Sequence, residues 1–136
     1  MHENALIGHT GFVGSTLMAQ AAFAARYRST DIDEMCGKTF ETVVCAGAPG
    51  LKWKANARPA EDRASIDRLM HCLERIDCGR LVLISTVDVF SNPVGVDEET
   101  SVDLAGLQAY GLHRRLLEQF VADRFENTIT VRLPGL

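Results

Sequence analysis

Three glycines spaced three residues apart, Gly8, Gly11 and Gly14, stand directly after a short apolar run and before a segment rich in helix-forming residues. Glycine lets the backbone turn sharply and approach a phosphate with no Cβ in the way. The exposed N–H groups and the dipole at the start of the following helix favour an anion. The pattern therefore predicts a turn that binds the pyrophosphate of a dinucleotide, with a plain tight turn as the alternative. The residues predicted to contact the dinucleotide here are Gly8, Thr10, Gly11, Phe12, Val13 and Gly14.

The segments that must hold this turn alternate between strand and helix patterns. Apolar runs at residues 5–7, 42–46, 81–84 and 129–133 predict buried strands, and residues 26–29 predict a short additional strand. Helical patterns lie at residues 16–22, from Pro59 to a predicted end at Gly79, and at 110–124. Strands that alternate with helices indicate an α/β fold, a Rossmann-like doubly wound parallel sheet of about five strands with helices on both faces. The interval before residue 42 is too short for the extra strand and helix of a six-stranded sheet.

The composition is that of one globular domain, residues 1–136. The chain has 46% hydrophobic and 24% charged residues, and its net charge of −4 argues against a nucleic-acid or anionic-membrane partner. Residues 4–25 carry no charge, but their polar residues and glycines exclude a signal peptide or membrane span and favour a buried first strand and helix. The four cysteines form no CxxC pair, which favours reduced, mostly buried thiols in a cytoplasmic protein without a metal site.

The glycine segment at residues 8–14, Gly-His-Thr-Gly-Phe-Val-Gly, resembles that of the extended branch of the short-chain dehydrogenase/reductase superfamily. That branch contains nucleotide-sugar epimerases, dehydratases and reductases, and its spacing differs from the G-x-G-x-x-G of other dehydrogenases. The resemblance implies a Rossmann fold that binds NAD or NADP. The small residues Ala46, Gly47 and Ala48 match a strand end that lies against the cofactor in this family. Residues 132–135 match the end of a strand that leads to the nicotinamide pocket.

Two further segments resemble the catalytic segments of that family. Residues 85–90 resemble Ser-Thr-x-x-Val-Tyr/Phe, in which the threonine, here Thr86, holds the carbonyl or hydroxyl oxygen of the substrate. Tyr110 and Arg114 stand where the family has Tyr-x-x-x-Lys. The tyrosine of that pattern is the general acid/base, and the cation stabilises its phenolate and binds the nicotinamide ribose. A spacing of four puts both side chains on one helical face.

Position 114 departs from the family because it holds arginine instead of lysine. A guanidinium is always charged, but it is a bulkier planar fork and does not simply replace an ammonium at a tight site. Three interpretations stay open: a working variant, an impaired enzyme that still binds nucleotide, and a helix surface on which Tyr110 and Arg114 are merely neighbours. His113, beside this pair, is predicted to be a solvated bystander.

The end of the second strand predicts which nicotinamide cofactor is bound. An arginine there accommodates the 2′-phosphate of NADP, whereas a carboxylate pairs with the ribose hydroxyl of NAD. Arg28 and Ser29 come before Asp31, which favours NADP over NAD. The alternative is a solvated surface arginine that discriminates between neither cofactor.

Two loops supply candidate residues for the rim of the site. Trp53, between two lysines in a predicted long loop, is expected either to cover a ligand or to pack over the core. The acidic residues 97–99 are expected to form a solvated loop.

The resemblance implies an NAD(P)-dependent oxidoreductase, epimerase or dehydratase that transfers hydride between the nicotinamide and a carbon bearing a hydroxyl or ketone. Its implied partner is a small-molecule substrate, with sugar nucleotides as the substrate class, and a homodimer is left open. Members of the family continue beyond the equivalent of Leu136 into a region that supplies most of the substrate pocket, so we expect a chain that lacks this region. The alternative function is an impaired NAD(P)-binding module that acts as a redox sensor or a partner-binding subunit.

Overall fold

The strands of this chain form one parallel sheet. The computed structural model describes residues 2–134, with side chains from Asn4 onwards. In that range the strands are β1 (His2–Ile7), β2 (Ala25–Tyr27), β3 (Thr39–Cys45), β4 (Asp77–Thr86) and β5 (Thr128–Leu133), in the spatial order β2-β1-β3-β4-β5. Every neighbouring pair is parallel. The predicted Rossmann-like α/β sheet of five strands is therefore confirmed, while Gly135 of the predicted segment 132–135 lies outside the described residues.

Helices connect the strands. In the described range they are α1 (Phe12–Gln20), α2 (Lys52–Ala57), α3 (Pro59–Leu73) and α4 (Ala109–Arg124). A 3₁₀ turn, Ile32–Met35, fills the connection from β2 to β3, where the sequence predicts that a strand is missing. Because crossovers between parallel strands are right-handed, the connection from β1 to β2 puts α1 on one face of the sheet. The connections from β3 to β4 and from β4 to β5 cross the sheet in the opposite direction. They therefore put α3 and α4 on the other face.

The main core lies between the sheet and the pair α3 and α4. Ala5, Val43 and Leu81 are aligned in adjacent strands and are fully buried. The next aligned set and the buried helix residues that pack on the same face are Ile7, Cys45, Leu83, Ile66, Leu69, Leu73, Leu117 and Val121. Removal of this apolar surface from water holds the carboxyl ends of β1, β3 and β4 in register. The loops that follow these three strands therefore emerge side by side.

The opposite face of the sheet is covered less. The apolar residues of α1 are spread around the helix, and Gly14 is the only buried one of its nine residues, all of which are described. The prediction of a buried first helix is therefore wrong, because α1 has no continuous apolar face to bury. Ile129 and Val131 of β5 are 47% and 37% exposed, and Val82 and Ile84, which are paired with them in β4, are half-buried.

Gly79 lies inside β4 and does not end a helix, so that prediction is wrong. Helix α3 ends at Leu73, and from Asp77 onwards the chain pairs with β3, beginning with Thr39. A Cβ on Gly79 would lie 3.0 Å from the carbonyl oxygen of Glu41. The glycine therefore marks a close approach of two strands, which a local pattern does not distinguish from the end of a helix.

No helix within residues 2–134 is both long enough and apolar enough to cross a bilayer.

Candidate active site

A cleft of about 1230 Å³ opens at the carboxyl ends of the strands. This volume exceeds the roughly 300–1,000 Å³ of typical small-molecule pockets, so the cleft has room for a dinucleotide. The predicted site residues that line it are Gly8, Thr10, Gly11, Phe12, Val13, Arg28, Ser29, Ala46, Gly47, Ala48, Thr86, Tyr110 and Arg114. Of the predicted set, only Gly14 is outside the lining formed by the described residues. Segments that are far apart in the sequence thus meet in one cleft.

Gly8 and Gly14 allow the turn after β1 to fold back on itself. Gly8 has a φ of +89°, in the left-handed region that favours glycine. A Cβ on Gly14 would lie 1.8 Å from the carbonyl oxygen of Gly8, and a Cβ on Gly8 would lie 2.2 Å from the carbonyl oxygen of Ala46. Both positions require glycine because the turn packs against itself and against the end of β3.

Gly11 differs from these two glycines because its Cβ position is free of clashes. A Cβ there would make an ordinary contact of 3.6 Å with the carbonyl oxygen of Gly8, and the φ of −76° suits any residue. Gly11 is the N-cap of α1, and no side chain of the described residues caps that helix. The N–H groups at the start of a helix have no partners within it, so this end of α1 offers donors and a positive dipole to an anion in the cleft.

Arg28 and Ser29 line the cleft directly after β2. The main-chain N–H of Arg28 donates to the Asp31 carboxylate at 2.7 Å, and its Nε donates to the Thr30 hydroxyl at 2.9 Å. These bonds close a tight loop, so β2 ends at Tyr27 and not at Ser29 as predicted. Arg28 is the charged side chain that this loop contributes to the described cleft lining.

The small residues after β3 form part of the cleft floor. Ala46, Gly47 and Ala48 all line the cleft. A Cβ on Gly47 would lie 2.9 Å from Cγ2 of Ile7 and 3.3 Å from Cδ1 of Leu69. Because Gly47 has no side chain, this segment packs close to β1 and α3, and no side chain at this position fills the cleft.

Trp53 lies in helix α2, so the prediction of a long loop at this position is wrong. Residues 52–57 form a turn and a half of helix that bridges the end of β3 and the start of α3. The Trp53 side chain is 71% exposed at the cleft, so it does not pack over the core. A large apolar ring at the rim is available to a ligand. The acidic residues 97–99 are exposed, as predicted.

Tyr110 is the second residue of helix α4 and lies next to the segment that carries Thr86. The main-chain N–H of Tyr110 donates to Oδ1 of Asn56 in α2 at 2.9 Å. A Cβ on Gly111 would lie 2.0 Å from the carbonyl oxygen of Asp88, so the first turn of α4 packs directly on the 3₁₀ turn that follows Thr86. The glycine after Tyr110 is the sequence signal for this contact, and sequence reasoning missed it.

Thr86 is the first member of a chain of polar groups along the cleft wall. It is buried, its hydroxyl donates to Oδ2 of Asp88 at 3.2 Å, and it accepts from the main-chain N–H of Asp88 at 3.1 Å. Oδ1 of Asp88 accepts from Nζ of Lys52 at 2.8 Å. All three residues line the cleft. Sequence reasoning missed Asp88 because the pattern Ser-Thr-x-x-Val-Phe leaves its position unspecified.

Arg114 is buried, at 2% exposure, and is held from two sides. Its Nη1 donates to Oδ2 of Asp62 in α3 at 2.5 Å, and its Nη2 donates to the carbonyl oxygen of Pro49 at 2.7 Å. The guanidinium carbon lies 4.2 Å from the centre of the Tyr110 ring. The buried Arg114 is therefore stacked against the half-buried ring of Tyr110 at the cleft wall, and the two do not lie side by side on an open helix surface.

His113 is also buried, so the prediction of a solvated bystander is wrong. Its Nδ1 lies 2.6 Å from Oδ2 of Asp62, because this position of α4 faces α3. Burial would raise the pKa of Asp62, but the hydrogen bonds and charges of Arg114 and His113 outweigh it and hold that pKa below its ordinary value. Asp62 is therefore an ionised carboxylate at neutral pH. Sequence reasoning missed its role because an acidic residue in the first turn of a helix is common.

Glu118 is a second buried carboxylate, and it lies one turn after Arg114 in α4. It accepts hydrogen bonds from the Ser85 hydroxyl at 2.7 Å, from Nε and Nη2 of Arg132 at 3.0 and 2.9 Å, and from Nη1 of Arg115 at 3.0 Å. Burial would raise the pKa of Glu118, but these partners hold it below its ordinary value. The network ties α4 to the ends of β4 and β5 and fixes the residue before Thr86. It is a further set of residues that sequence reasoning missed.

Three of the four cysteine thiols are poor nucleophiles at neutral pH. Burial raises the pKa of Cys45 and of Cys78 to about 11 and that of Cys72 to about 12. A thiol that stays protonated at neutral pH is a poor nucleophile. Among the described residues, no group of three or more His, Cys, Asp or Glu side chains could hold a metal ion.

Two features of the cleft suit a dinucleotide. The glycine turn leaves the start of α1 open where side chains would otherwise fill the space. Nε of Arg114 is buried and has no hydrogen-bond partner among the described residues. A buried donor without a partner is rare in proteins, and Nε of Arg115, which lies outside the described lining of the cleft, is a second one. The residues present therefore fit a ligand that carries a diphosphate at the start of α1 and polar groups near Thr86, Tyr110 and Arg114.

The fold of this chain is similar to that of several solved structures. The chain resembles dTDP-4-dehydrorhamnose reductase from Bacillus anthracis in complex with NADP, with a TM-score of 0.71 and 16% identity over 98% of this chain and 53% of that one. It also resembles UDP-glucuronic acid 4-epimerase from Bacillus cereus in complex with NAD, with a TM-score of 0.68 and 16% identity over 97% and 56% of the two chains. A short-chain dehydrogenase/reductase superfamily protein from Agrobacterium tumefaciens with bound NAD gives a TM-score of 0.65 and 18% identity over 96% and 48%.

The chain spans about half the length of these structures. No protein-family model matches the sequence, and no curated protein matches it. At identities of 16–18% the similarity establishes the shared fold.

Proposed function

We propose that this chain binds NADP, or NAD, and acts as an oxidoreductase, epimerase or dehydratase of the extended short-chain dehydrogenase/reductase kind. The observation that carries the proposal is the shared cleft, which the glycine turn, Thr86, Tyr110 and Arg114 line together. The similar solved structures support the cofactor class, because the reductase is in complex with NADP and the epimerase is in complex with NAD.

The glycine turn and the start of α1 bind the diphosphate of the cofactor in this proposal. Phe12 and Val13 contribute main-chain N–H groups there, because α1 has no side-chain cap among the described residues, whereas the N–H of Gly11 donates to the carbonyl oxygen of Gly8 at 3.2 Å. Arg28 and Ser29 bind the 2′-phosphate that distinguishes NADP from NAD. Support for NADP comes from the cleft lining, which contains the Arg28 side chain after β2.

Tyr110, Thr86 and Arg114 carry the chemistry at the other end of the cleft. The bound cofactor supplies a hydride donor or acceptor next to the substrate carbon. Tyr110 gives a proton to, or takes one from, the substrate oxygen, and the guanidinium 4.2 Å from its ring centre stabilises the negative charge on the phenolate. The Thr86 hydroxyl orients the same oxygen when it turns away from Asp88, a partner that it holds at a long 3.2 Å.

The substrate in this proposal is a sugar nucleotide or a similar hydroxyl or keto compound. The named substrates of the similar reductase and epimerase, a dTDP-sugar and a UDP-sugar, support this class. The cleft rim of the present chain offers matching groups, since the exposed Trp53 ring can stack on a planar base and the Lys52 ammonium can approach a phosphate.

Titration with NADPH and NADH tests the proposal. We expect saturable changes in reduced-nicotinamide fluorescence, with tighter binding of NADPH. Isothermal titration calorimetry with NADP measures the same site without relying on fluorescence. Absence of binding by both cofactors in both assays would exclude the proposed function.

A further inference from the structure

The buried carboxylate of Asp62 approaches the cleft from a helix that carries none of the predicted catalytic residues. It lies in the first turns of α3, is 6% exposed, and reaches across to α4. One of its oxygens, Oδ2, lies within hydrogen-bond distance of both His113 and Arg114. A buried cation needs a partner of opposite charge, and Asp62 is the carboxylate that the guanidinium of Arg114 contacts.

The nitrogens of Arg114 are not equally engaged. Nη1 donates to Asp62 and lies 3.4 Å from the carbonyl oxygen of Tyr110, and Nη2 donates to the carbonyl oxygen of Pro49. These contacts fix the plane of the guanidinium, because a planar group held at two corners cannot rotate freely. Nε is left without a partner among the described residues.

We propose that Asp62 is a positioning residue for the cofactor site: it holds the guanidinium of Arg114 against the Tyr110 ring, at the wall of the cleft that the bound cofactor occupies. This inference rests on the proposed function, since it assigns a partner to a residue of the NAD(P) cleft. It accounts for an arginine at position 114, because the bulk of the guanidinium is accommodated by a carboxylate from α3 and a carbonyl from the loop after β3.

His113 completes the arrangement from the other side. Its ring contacts the same oxygen of Asp62 as Arg114 does, at 2.6 Å, and is itself buried. The carboxylate is therefore held between two neighbouring residues of α4. Loss of its charge releases the guanidinium, whereas loss of the guanidinium leaves Asp62 with His113 as its remaining partner.

A double-mutant cycle on NADPH binding tests the inference. The variants are Asp62→Asn, Arg114→Gln and the combination of both, and the dissociation constant of NADPH is measured on protein that circular dichroism shows to be folded. If Asp62 acts through Arg114, we expect Asp62→Asn to weaken binding about fivefold, Arg114→Gln to weaken it about tenfold, and the combination to weaken it no more than about tenfold. The combination also removes both members of a buried ion pair, so it is expected to fold where a single variant does not.

Asp67→Asn is the matched control. Asp67 lies on the same helix, is exposed, and pairs with Arg63 at 2.9 Å away from the cleft. We expect its NADPH affinity to equal that of the wild type.

Two results overturn the inference. One is a folded Asp62→Asn variant with unchanged NADPH affinity, and the other is a combined variant whose loss is the product of the single losses, about fiftyfold. If neither single variant folds, the combined variant alone tests the inference. In that case, an NADPH affinity of the combined variant equal to that of the wild type overturns it. Failure of the wild type to bind either cofactor overturns the proposed function and this inference with it, which separates the two cases.

Discussion

The guanidinium carbon of Arg114 lies 4.2 Å from the centre of the Tyr110 ring, so the two side chains of the Tyr-x-x-x-Arg pattern are stacked in the first turns of α4. Stacking of this kind lets the face of an aromatic ring interact with a cation. The arrangement depends on Asp62 and Pro49, which belong to other segments of the chain. The consequences can be tested by substitution at this site and at the glycine turn.

We expect Gly11→Val to weaken NADPH binding more than tenfold while the protein stays folded. The extended φ of −76° and the 3.6 Å contact distance accommodate a side chain in the protein itself, so the new methyl groups meet the diphosphate and not the backbone. Fluorescence titration measures the affinity, and thermal unfolding measures the stability. Wild-type NADPH affinity in the folded variant would contradict the assignment of the turn.

Gly14→Ala is expected to lower the stability of the fold, whereas Gly11→Val lowers NADPH affinity in a protein that stays folded. A Cβ at position 14 would lie 1.8 Å from the carbonyl oxygen of Gly8, so the turn must open. We expect a loss of roughly 3 kcal/mol or more in the free energy of unfolding, as is typical of severe overpacking. Urea denaturation measures it, with Gly11→Ala as the control that should unfold near the wild-type midpoint. Equal midpoints for both variants would show that the turn is not packed as described.

Arg28→Ala tests the choice between the two cofactors. Loss of a charge-assisted bond to the 2′-phosphate weakens NADPH binding by roughly 1.5–3 kcal/mol and leaves NADH binding nearly unchanged. Arg26→Ala is the matched control, because Arg26 is exposed in β2, two residues before Arg28, and lies outside the described cleft lining. Equal losses for NADPH and NADH in Arg28→Ala would show that Arg28 does not bind the 2′-phosphate.

Tyr110→Phe is expected to abolish turnover and to spare cofactor binding. The substitution removes the hydroxyl that exchanges the proton but keeps the ring that stacks on Arg114. Oxidation of NADPH at 340 nm with dTDP-4-dehydrorhamnose as the trial substrate measures turnover, and fluorescence titration measures binding. Arg114→Lys should retain activity if the arginine is a working variant. Turnover by Tyr110→Phe at the wild-type rate would remove Tyr110 from the mechanism.

Glu118 makes the stability of the fold depend on pH. Its pKa is held below the ordinary value of 4.5, so the folded state binds fewer protons than the unfolded state near that pH. The stabilisation is therefore complete above the unfolded pKa and is lost as the pH falls through the folded pKa. We expect Glu118→Gln to lower the free energy of unfolding by about 3 kcal/mol at pH 7.

The gap between Glu118→Gln and the wild type should shrink as the pH falls below 4.5. Urea denaturation at a series of pH values measures this gap, with the exposed Glu126→Gln as the control. A gap that stays constant from pH 7 down into this range would contradict the network around Glu118.

The parts of the fold that follow local patterns could be predicted from the sequence. The glycine turn follows from the spacing of its glycines, and the order of strands and helices follows from the hydrophobic patterns. The placement of Thr86 and Tyr110 in one cleft is implied by the resemblance of their segments to those of the short-chain dehydrogenase/reductase family. Gly79 shows the limit, because its role depends on the carbonyl oxygen of Glu41, a residue of another strand.

The supporting residues of the site could not be predicted in this way. Asp62 and Arg114 are 52 residues apart, and their contact exists only because α3 packs against α4. Glu118 and Ser85 are 33 residues apart and meet for the same kind of reason. A buried carboxylate has the same sequence signature as an exposed one on a charged helix, so only the packing distinguishes them.

One face of the sheet is packed against few side chains, and this favours self-association of the protein in solution. Ile129 and Val131 expose apolar side chains on β5 beside the half-buried Val82 and Ile84. Apolar patches of this kind promote association between molecules, and a strand at the edge of a sheet adds open main-chain groups that can pair with another chain. Light scattering should therefore rise with protein concentration, and dyes that fluoresce in apolar surroundings should bind the native state. Affinity measurements belong at low micromolar protein, where self-association does not compete with the ligand.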